Sequence, residues 1–308
     1  GASAPPQITD EKCETRTEHR PRDERNRAKI RCLARITPDT IPPMQRLHLI
    51  EFEDLPWLPA AVRDGATDQL DLLFARVGFY RALAPKLLAL LDATGCRALV
   101  DLCSGGGGGA LAMRDELAAL GHPDTTLLLT DRYPNASAAA RIAARGDAGL
   151  RYHPEAVEAT EVPPALGGVR TMYGALHHFQ PDAVVGLLRA AVDAEAPVAF
   201  FDVAASPTLR KLPTALAPAA ALPNMAMLFA VSLALGAVVR PFRATSAALT
   251  WALPVIPLLF AWDGTVSALR AYTPDELLEF AHAADRAGRY RWECHRAGNA
   301  LALTGMTR

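Results

Sequence analysis

From residue 97 onwards, short apolar runs alternate with segments whose apolar residues recur at helical spacing. Runs of the first kind predict buried strands, and the intervening segments predict helices. Strands joined by helices of this length form a parallel sheet that is covered on both faces. The last two runs predict an antiparallel pair at the edge of that sheet. The predicted strands lie within 97–102, 125–131, 169–179, 197–204, 290–296 and 299–308, and the predicted helices are 111–120, 135–146, 181–194 and 273–285.

The chain before this alternation has two different parts. Residues 1–43 are mostly polar or charged with several prolines, a composition that buries little apolar surface and predicts a flexible arm. Residues 68–92 carry apolar side chains at helical spacing and predict one or two amphipathic helices beside the core. Trp57, just before them, is predicted to anchor the start of this layer.

A long apolar segment interrupts the alternation after the strand at 197–204. Residues 212–239 and 244–262 contain no charged side chain, and Arg240 and Arg243 lie between them. Each stretch is long enough to cross a bilayer as a helix. Prolines interrupt both, and a crossing hairpin would leave the arginines on the far side, against the positive-inside tendency. We therefore expect a helical cap over the site, with a transmembrane hairpin as the alternative.

These patterns predict four parts in the chain. The arm is 1–43, the main core with its N-terminal helices is 44–206, the apolar cap is 207–265, and 266–308 completes the core. The bulky candidates for the cap are Phe229, Phe242, Trp251, Phe260 and Trp262, although ordinary packing of the apolar segment against the sheet is the expectation for most of them.

Composition excludes several classes of protein. The formal net charge of -1 gives no basic surface for nucleic acid, so no nucleic-acid partner is expected. The five cysteines are scattered without C-x-x-C spacing, and no histidine cluster has zinc spacing. We therefore expect reduced thiols, no metal site, and a cytoplasmic location, with contact at the inner membrane surface through the cap left open.

The residues of greatest chemical interest follow the first strand, where five consecutive glycines (Gly105 to Gly109) precede a helix. Glycines at such a turn let the backbone approach a ligand. Asp101 ends this strand, and Asp131 ends the next and could accept both ribose hydroxyls of an adenosine. A pyrophosphate would be repelled by Asp101, whereas an ammonium and a sulfonium would be attracted. S-adenosylmethionine (SAM) carries both of those cations.

At this point the sequence resembles the class I SAM-dependent methyltransferases. DLCSGGGG is similar to their acidic first motif with three spaced glycines, Cys103 replacing the first glycine while Gly105 and Gly107 match the others. The resemblance covers about 77–202 and 272–308, and it implies a Rossmann-like sheet of seven strands, mostly parallel, with SAM as the cofactor. The cofactor residues that it implies are Asp101, Cys103, Ser104, Gly105, Gly107, Asp131, Arg132, Glu158 and Ala175, with Glu155 as a substitute for Glu158.

The candidate catalytic residues lie at the end of the predicted strand segment 169–179, which corresponds to the fourth strand of the family. Leu176-His177-His178-Phe179 resembles the family's motif beside the transferable methyl group. Neighbouring residues of an extended segment face opposite ways, so we expect one histidine to reach the reacting centre, and His178, nearer the loop, is preferred to His177. Such a histidine would act as a base for a hydroxyl acceptor or would hold a carboxylate. The alternative is that both histidines only bond to backbone carbonyls.

The sequence therefore predicts an enzyme that methylates an oxygen of a hydrophobic small molecule, such as an acyl, phenolic or polyketide-like compound. N- or C-methylation is an alternative, as is a non-catalytic protein that binds lipid or a protein partner through its apolar segment. A nicotinamide oxidoreductase is disfavoured because Asp101 precedes the loop and no Tyr-x-x-x-Lys pair is present. The acceptor and the oligomeric state stay open.

Overall fold

The computed structural model describes residues 46–240 and 242–308, and the predicted arm at 1–43 lies outside them. Seven strands of the described residues form one sheet in the order β3-β2-β1-β4-β5-β7-β6. The strands are β1 (Ala98–Asp101), β2 (Thr126–Leu129), β3 (Leu150–Tyr152), β4 (Val169–Tyr173), β5 (Val198–Val203), β6 (Tyr290–Ala297) and β7 (Ala300–Thr307).

The helices cover both faces of the sheet and form the apolar segment. Numbered in chain order, they are α1 (Ala60–Val77), α2 (Ala84–Thr94), α3 (Gly108–Ala119), α4 (Ala136–Ala144), α5 (Pro181–Asp193), α6 (Pro207–Lys211), α7 (Ala217–Gly236), α8 (Ala244–Ala247), α9 (Val255–Arg270) and α10 (Pro274–Ala284). A π-helical turn at Ala248–Ala252 extends α8.

The strand pairing confirms the sheet that the sequence predicted. Strands β1 to β5 pair in parallel, whereas β7 runs antiparallel to both β5 and β6. Of these five strands, β1, β2, β4 and β5 are rich in aliphatic and aromatic residues, as expected for strands whose two faces are both buried by helices. All four therefore end in loops at the same edge of the sheet.

Two local details differ from the sequence-based expectation. Helix α3 begins at Gly108, inside the glycine run, because Gly107 caps it in a left-handed conformation with φ +89°. Trp57 is 67% exposed, so the prediction that it anchors the N-terminal layer is wrong. Its neighbour Leu58 packs with α1 and α9 instead.

The apolar segment forms α6 to α9, and it is less enclosed than a cap of buried helices would be. The span Thr214–Gly236 is long and apolar enough to cross a membrane, and only 11% of its apolar 18-residue window is buried. The two apolar helical stretches that follow, 244–252 and 255–270, meet at a 76° bend. Helix α9 continues through the predicted boundary at residue 265, so one element joins the apolar segment to the rest of the core.

Candidate functional site

The backbone after β1 forms a tight loop of left-handed residues. Cys103, Gly105 and Gly107 have φ values of +57°, +52° and +89°. Cys103 occupies the position of the family's first glycine, and its conformation is one that glycine adopts most easily. Burial raises the pKa of the Cys103 thiol, which argues against a nucleophilic role.

Asp101 is a buried acid whose carboxylate bonds to this loop. Its carboxylate accepts hydrogen bonds from Ser104 Oγ at 2.6 Å and from Thr171 Oγ1 at 2.9 Å. Burial raises its pKa to about 7, in spite of both hydroxyl donors, which lower it. The carboxylate therefore joins the glycine loop to β4, and its contact with the aminoacyl end of a cofactor stays a prediction.

The raised pKa of Asp101 predicts how stability depends on pH. An acid whose pKa is about 7 in the folded state and about 3.9 when unfolded lowers stability as the pH rises between those values. Asp101→Asn removes this effect, so the free energy of unfolding of the variant relative to the parent should rise from pH 5 to pH 7. The expected slope is at most about 1.4 kcal/mol per pH unit. Urea unfolding at several pH values measures it, and parallel curves for the two proteins would contradict it.

Asp131 follows β2 and lies against the same loop. Its carboxylate accepts the amide N–H of Gly105 at 2.8 Å and that of Tyr133 at 2.8 Å. Burial raises its pKa, while these amide bonds lower it. Glu158 forms an ion pair with Arg132 at 2.7 Å. Glu158 lies six residues beyond β3, and the amide N–H of its neighbour Val157 bonds to the Asp131 carbonyl oxygen at 2.9 Å. The ligand contacts of Asp131, Arg132 and Glu158 stay predictions.

The second half of the glycine run is packed under helix α1. Asp71 accepts the amide N–H of Gly108 at 3.0 Å. A Cβ atom at Gly106 would lie 2.0 Å from the Asp71 carboxylate, and one at Gly108 would lie 2.5 Å from the Asp71 Cα. Gly106 and Gly108 are therefore required by the close approach of α1, and contact of Cys103, Ser104, Gly105 and Gly107 with a cofactor stays a prediction.

A cavity of about 490 Å³ lies next to the loop that follows β4. From β1 the chain leads to β2, which lies on one side of β1, and it later returns to β4, which lies on the other side of β1. Open α/β sheets bind ligands where the strand order reverses in this way. Gly174 lines the cavity, with the buried Ala175 beside it. The remaining wall is mostly apolar and comes from α1, α7 and α9, including Leu70, Leu73, Phe74, Leu228, Leu259 and Phe260.

The expected cap aromatic residues contribute little to this cavity. Phe260 lines it, whereas Phe242 and Trp251 are exposed on the outside of the apolar segment. Trp262 donates a hydrogen bond to the carbonyl oxygen of Ile50. Of the five bulky side chains named as cap candidates, Phe260 alone therefore lines this cavity in the described part of the chain.

The paired histidines lie at the polar end of the cavity. Leu176–His178 is a 3-10 turn and not an extended strand, so the two rings do not face opposite ways. Their centroids are 4.4 Å apart, and both rings line the cavity. The expectation that only one of the two rings reaches the site is therefore wrong, while the preference for His178 stays a prediction. Arg46 holds this turn by donating to the carbonyl oxygens of His177 and Phe179.

His177 has the arrangement of a general base. Asp202, at the end of β5, accepts the His177 backbone N–H at 2.6 Å and lies 2.7 Å from Nδ1. Because a carboxylate only accepts, this contact places the proton on Nδ1 and leaves the lone pair on Nε2. Nε2 is buried and has no hydrogen-bond partner among residues 46–240 and 242–308. His178 instead lies 2.7 Å from Asp54 through its Nδ1 atom.

Sequence reasoning did not find the charged residues that surround the histidines. Glu51 is 2% exposed, and Arg270 contacts its carboxylate at 3.2 Å and that of Asp54 at 2.9 Å. Burial raises the pKa of Glu51 to about 7. Asp263 accepts the amide N–H groups of Phe52 and Glu53. Two sequence signals could have indicated these residues. Asp202 lies near the end of a predicted strand, as Asp101 does, and Asp263 and Arg270 are isolated charged residues in an otherwise apolar helix.

The strand order, the single antiparallel strand β7 and the glycine loop after β1 together decide the fold. The chain has the fold of class I SAM-dependent methyltransferases. In this methyltransferase fold the glycine loop and the histidine turn follow the adjacent strands β1 and β4. No protein-family profile and no curated protein matches the sequence.

Similar solved structures include several O-methyltransferases. The neocarzinostatin-biosynthesis O-methyltransferase NcsB1, solved with SAM and 2-hydroxy-5-methyl naphthoic acid, has 16% identity and a TM-score of 0.47 over 81% of this chain and 59% of its own. Human N-acetylserotonin methyltransferase, solved with SAM, has 11% identity and a TM-score of 0.45 over 82% and 60%. An O-methyltransferase family protein from Burkholderia thailandensis has 11% identity and a TM-score of 0.44 over 77% and 58%. The chain thus spans less than two thirds of each, and likeness at this level assigns no residue and no substrate.

Proposed function

We propose that this chain is a SAM-dependent methyltransferase that methylates a hydroxyl oxygen of a hydrophobic small molecule. The observation that carries the proposal is the Nε2 atom of His177, whose ring is oriented by Asp202 at the polar end of an apolar cavity. That cavity begins after β4, and the glycine loop follows the adjacent strand β1. A cofactor on the loop and an acceptor in the cavity would therefore meet at this edge of the sheet.

The residues on the glycine loop fit SAM. Apart from the two chain neighbours of Gly105, no heavy atom of residues 46–240 and 242–308 lies within 4 Å of the position that a Cβ of Gly105 would take, so this part of the structure leaves the loop open there. The half-buried Asp131 lies beside this opening and has lone pairs left for ribose hydroxyls. Cys103, Ser104 and Gly105 would border the bound cofactor, and Glu158 with Arg132 would lie at its adenine end. When bound, SAM supplies a methyl group on a sulfonium, which an oxygen nucleophile can displace directly.

His177 would receive the proton of the acceptor hydroxyl as the new carbon–oxygen bond forms. The Asp202 carboxylate would stabilise the imidazolium that results, because it already bonds to Nδ1 at 2.7 Å. The apolar walls contributed by α1, α7 and α9 would keep water from the reacting oxygen and would favour an acceptor with an apolar body. The proton would pass to solvent after the product leaves.

Methyl transfer itself tests the proposal. The purified chain would be incubated with SAM labelled in its methyl group and with matched acceptors, such as a naphthol, its O-methyl ether and a small polar sugar alcohol. Label should enter the naphthol and not the ether, since the ether has no free hydroxyl. Methylation of only the polar compound, or labelling of carbon or nitrogen in amine and enol acceptors alone, would overturn the assignment.

We further propose that the exposed face of α7 and the adjoining bend rest on the inner surface of the cytoplasmic membrane. Supporting this, Leu222 and Met227 are exposed on α7, and Phe242 and Trp251 are exposed nearby. Arg240, also exposed, could meet anionic headgroups. Large apolar patches of this kind mark interaction sites, and an apolar helix flanked by cations and aromatic residues suits a bilayer interface.

Sedimentation with vesicles of phosphatidylglycerol and phosphatidylcholine tests this contact. The parent should sediment with them, and Leu222→Glu combined with Trp251→Glu should reduce the bound fraction at least tenfold. Leu120→Glu, at an exposed apolar position after α3, is the matched control and should bind as the parent does. Self-association in the ultracentrifuge with no vesicle binding would instead assign this face to a second copy of the chain.

A further inference from the structure

Three side chains from two distant segments meet at the polar end of the cavity. His177 Nε2 lies 3.8 Å from one carboxylate oxygen of Glu51, and His178 Nε2 lies 3.4 Å from the other. All three residues offer a ligand atom within 4.8 Å of the others. These separations exceed hydrogen-bond lengths of about 2.7–3.2 Å. They approach the roughly 3.3 Å between neighbouring ligand atoms that share a tetrahedral ion at about 2.0–2.1 Å.

A second carboxylate fixes the orientation of each histidine ring. Asp202 lies 2.7 Å from Nδ1 of His177, and Asp54 lies 2.7 Å from Nδ1 of His178. The contact with Asp202 places the proton of His177 on Nδ1 and directs its Nε2 lone pair toward Glu51. The shorter contact with Asp54 favours the same tautomer of His178, whose Nδ1 also lies 3.4 Å from Nη1 of Arg270. Metal-binding histidines are held by an outer carboxylate in this way, which fixes the tautomer and raises the basicity of the ligand atom.

The Nε2 atom of His177 points independently to a missing ligand. The residue is 3% exposed, and Nε2 has no hydrogen-bond partner within the described part of the chain. A buried polar atom without a partner destabilises the folded state, because it loses its hydration and gains no bond in return. A cation that accepts this lone pair would remove the penalty.

The charges around the cluster also favour a cation. Arg270 contacts Glu51 and Asp54 and offsets one negative charge. The carboxylates of Asp54 and Asp202 each bond to one imidazole ring. Glu53 and Asp263 also line the cavity, and burial raises the pKa of both. The negative charge next to the rings is therefore that of Asp54 and Asp202.

We propose that Glu51, His177 and His178 bind a divalent transition-metal ion of the Zn²⁺ type. Two imidazole nitrogens and one carboxylate suit such an ion better than Mg²⁺ or Ca²⁺, which prefer oxygen. Three protein ligands leave a fourth position open toward the cavity, as in catalytic zinc sites. The sequence predicted no metal site because Glu51 lies more than a hundred residues before the two histidines, and the adjacent histidines alone have no zinc-site spacing.

The site does not depend on the proposed methyl transfer, since it rests on geometry alone. Where both hold, the ion would occupy the lone pair that His177 offers in the metal-free protein. The ion would then hold the acceptor oxygen as its fourth ligand and lower the pKa of the hydroxyl. The general-base role of His177 would belong to the metal-free form.

Calorimetric titration of the full chain with ZnCl₂, after removal of metal with EDTA, tests the site. One ion per chain should bind with a submicromolar dissociation constant. Glu51→Gln and His178→Asn should each weaken binding at least 100-fold, and Asp202→Asn should weaken it about 10- to 100-fold through loss of the outer carboxylate. His295→Asn is the matched control, because His295 and Glu293 form an exposed pair on β6 at 3.1 Å.

Substitution by Co²⁺ adds an independent reading, since its visible absorption reports four-coordinate nitrogen and oxygen ligands. No stoichiometric binding by the folded parent would overturn the site, as would undiminished binding by Glu51→Gln. Circular dichroism establishes whether each variant is folded. Any variant that does not fold is replaced by Asp54→Asn, because Asp54 is exposed and its substitution disturbs the core least. Binding of S-adenosylhomocysteine by the metal-free protein is measured separately, so failure of the metal site and failure of the methyltransferase proposal are distinguished.

Discussion

Asp131→Ala should weaken binding of S-adenosylhomocysteine at least 100-fold. The carboxylate bonds to the Gly105 amide and would accept two ribose hydroxyls. Hydrogen bonds to a charged group contribute about 1.5–3 kcal/mol each, and 1.4 kcal/mol is a tenfold change in affinity. The loss of two such bonds gives the expected factor. Calorimetric titration of parent and variant with S-adenosylhomocysteine measures it.

Asp124→Ala is the matched control for this prediction, because Asp124 is an exposed acid with only a 4.0 Å contact to Arg97. Its affinity should equal that of the parent. Asp131→Asn should give an intermediate loss, since the amide keeps one oxygen acceptor and loses the charge. Unchanged affinity in Asp131→Ala would mean that the ribose, if bound at all, is held elsewhere.

His177→Ala should lower kcat by about 10²- to 10⁴-fold, the usual contribution of a general base. The affinity for S-adenosylhomocysteine should not change, because His177 lines the acceptor cavity and not the glycine loop. Asp202→Asn should approach the same loss, since an amide oriented to accept at Nδ1 no longer stabilises the imidazolium. Initial rates over a range of pH measure both effects, and the limb due to the base should disappear in His177→Ala.

His282→Ala is the control, because His282 is exposed on α10. His178→Ala should reduce kcat less than His177→Ala, since the Asp54 partner of His178 is more exposed than Asp202. A greater loss in His178→Ala would reverse the assignment and restore the preference drawn from the sequence.

The sheet was predictable because its strands are marked locally. Apolar runs with helices between them identify β1, β2, β4 and β5, and the closing pair β6 and β7 was also recognised. Strand β3 has three residues, too few for a clear pattern. The start of α3 was missed because glycine is a poor helix former, and here the packing of α1 outweighs that preference.

The site was predictable only where its residues are close in sequence. The glycine loop and the paired histidines stand out because each is a short motif after a strand. Glu51 and Arg270 come from opposite ends of the described chain and meet through tertiary packing, which no local pattern reports. The expectation that a single histidine ring reaches the cavity was wrong for a related reason, since a 3-10 turn replaced the extended backbone assumed for it.

Helix α1 connects two places that methyl transfer would use in succession. Asp71 bonds to the glycine run at Gly108, while Leu70, Leu73 and Phe74 of the same helix line the cavity. A rigid helix cannot shift at one of these places without shifting at the other. Occupation of the loop should therefore alter the affinity of the cavity, and by thermodynamic reciprocity the acceptor should alter cofactor affinity by the same factor. The affinity of each ligand, measured with and without the other, should therefore change by the same factor.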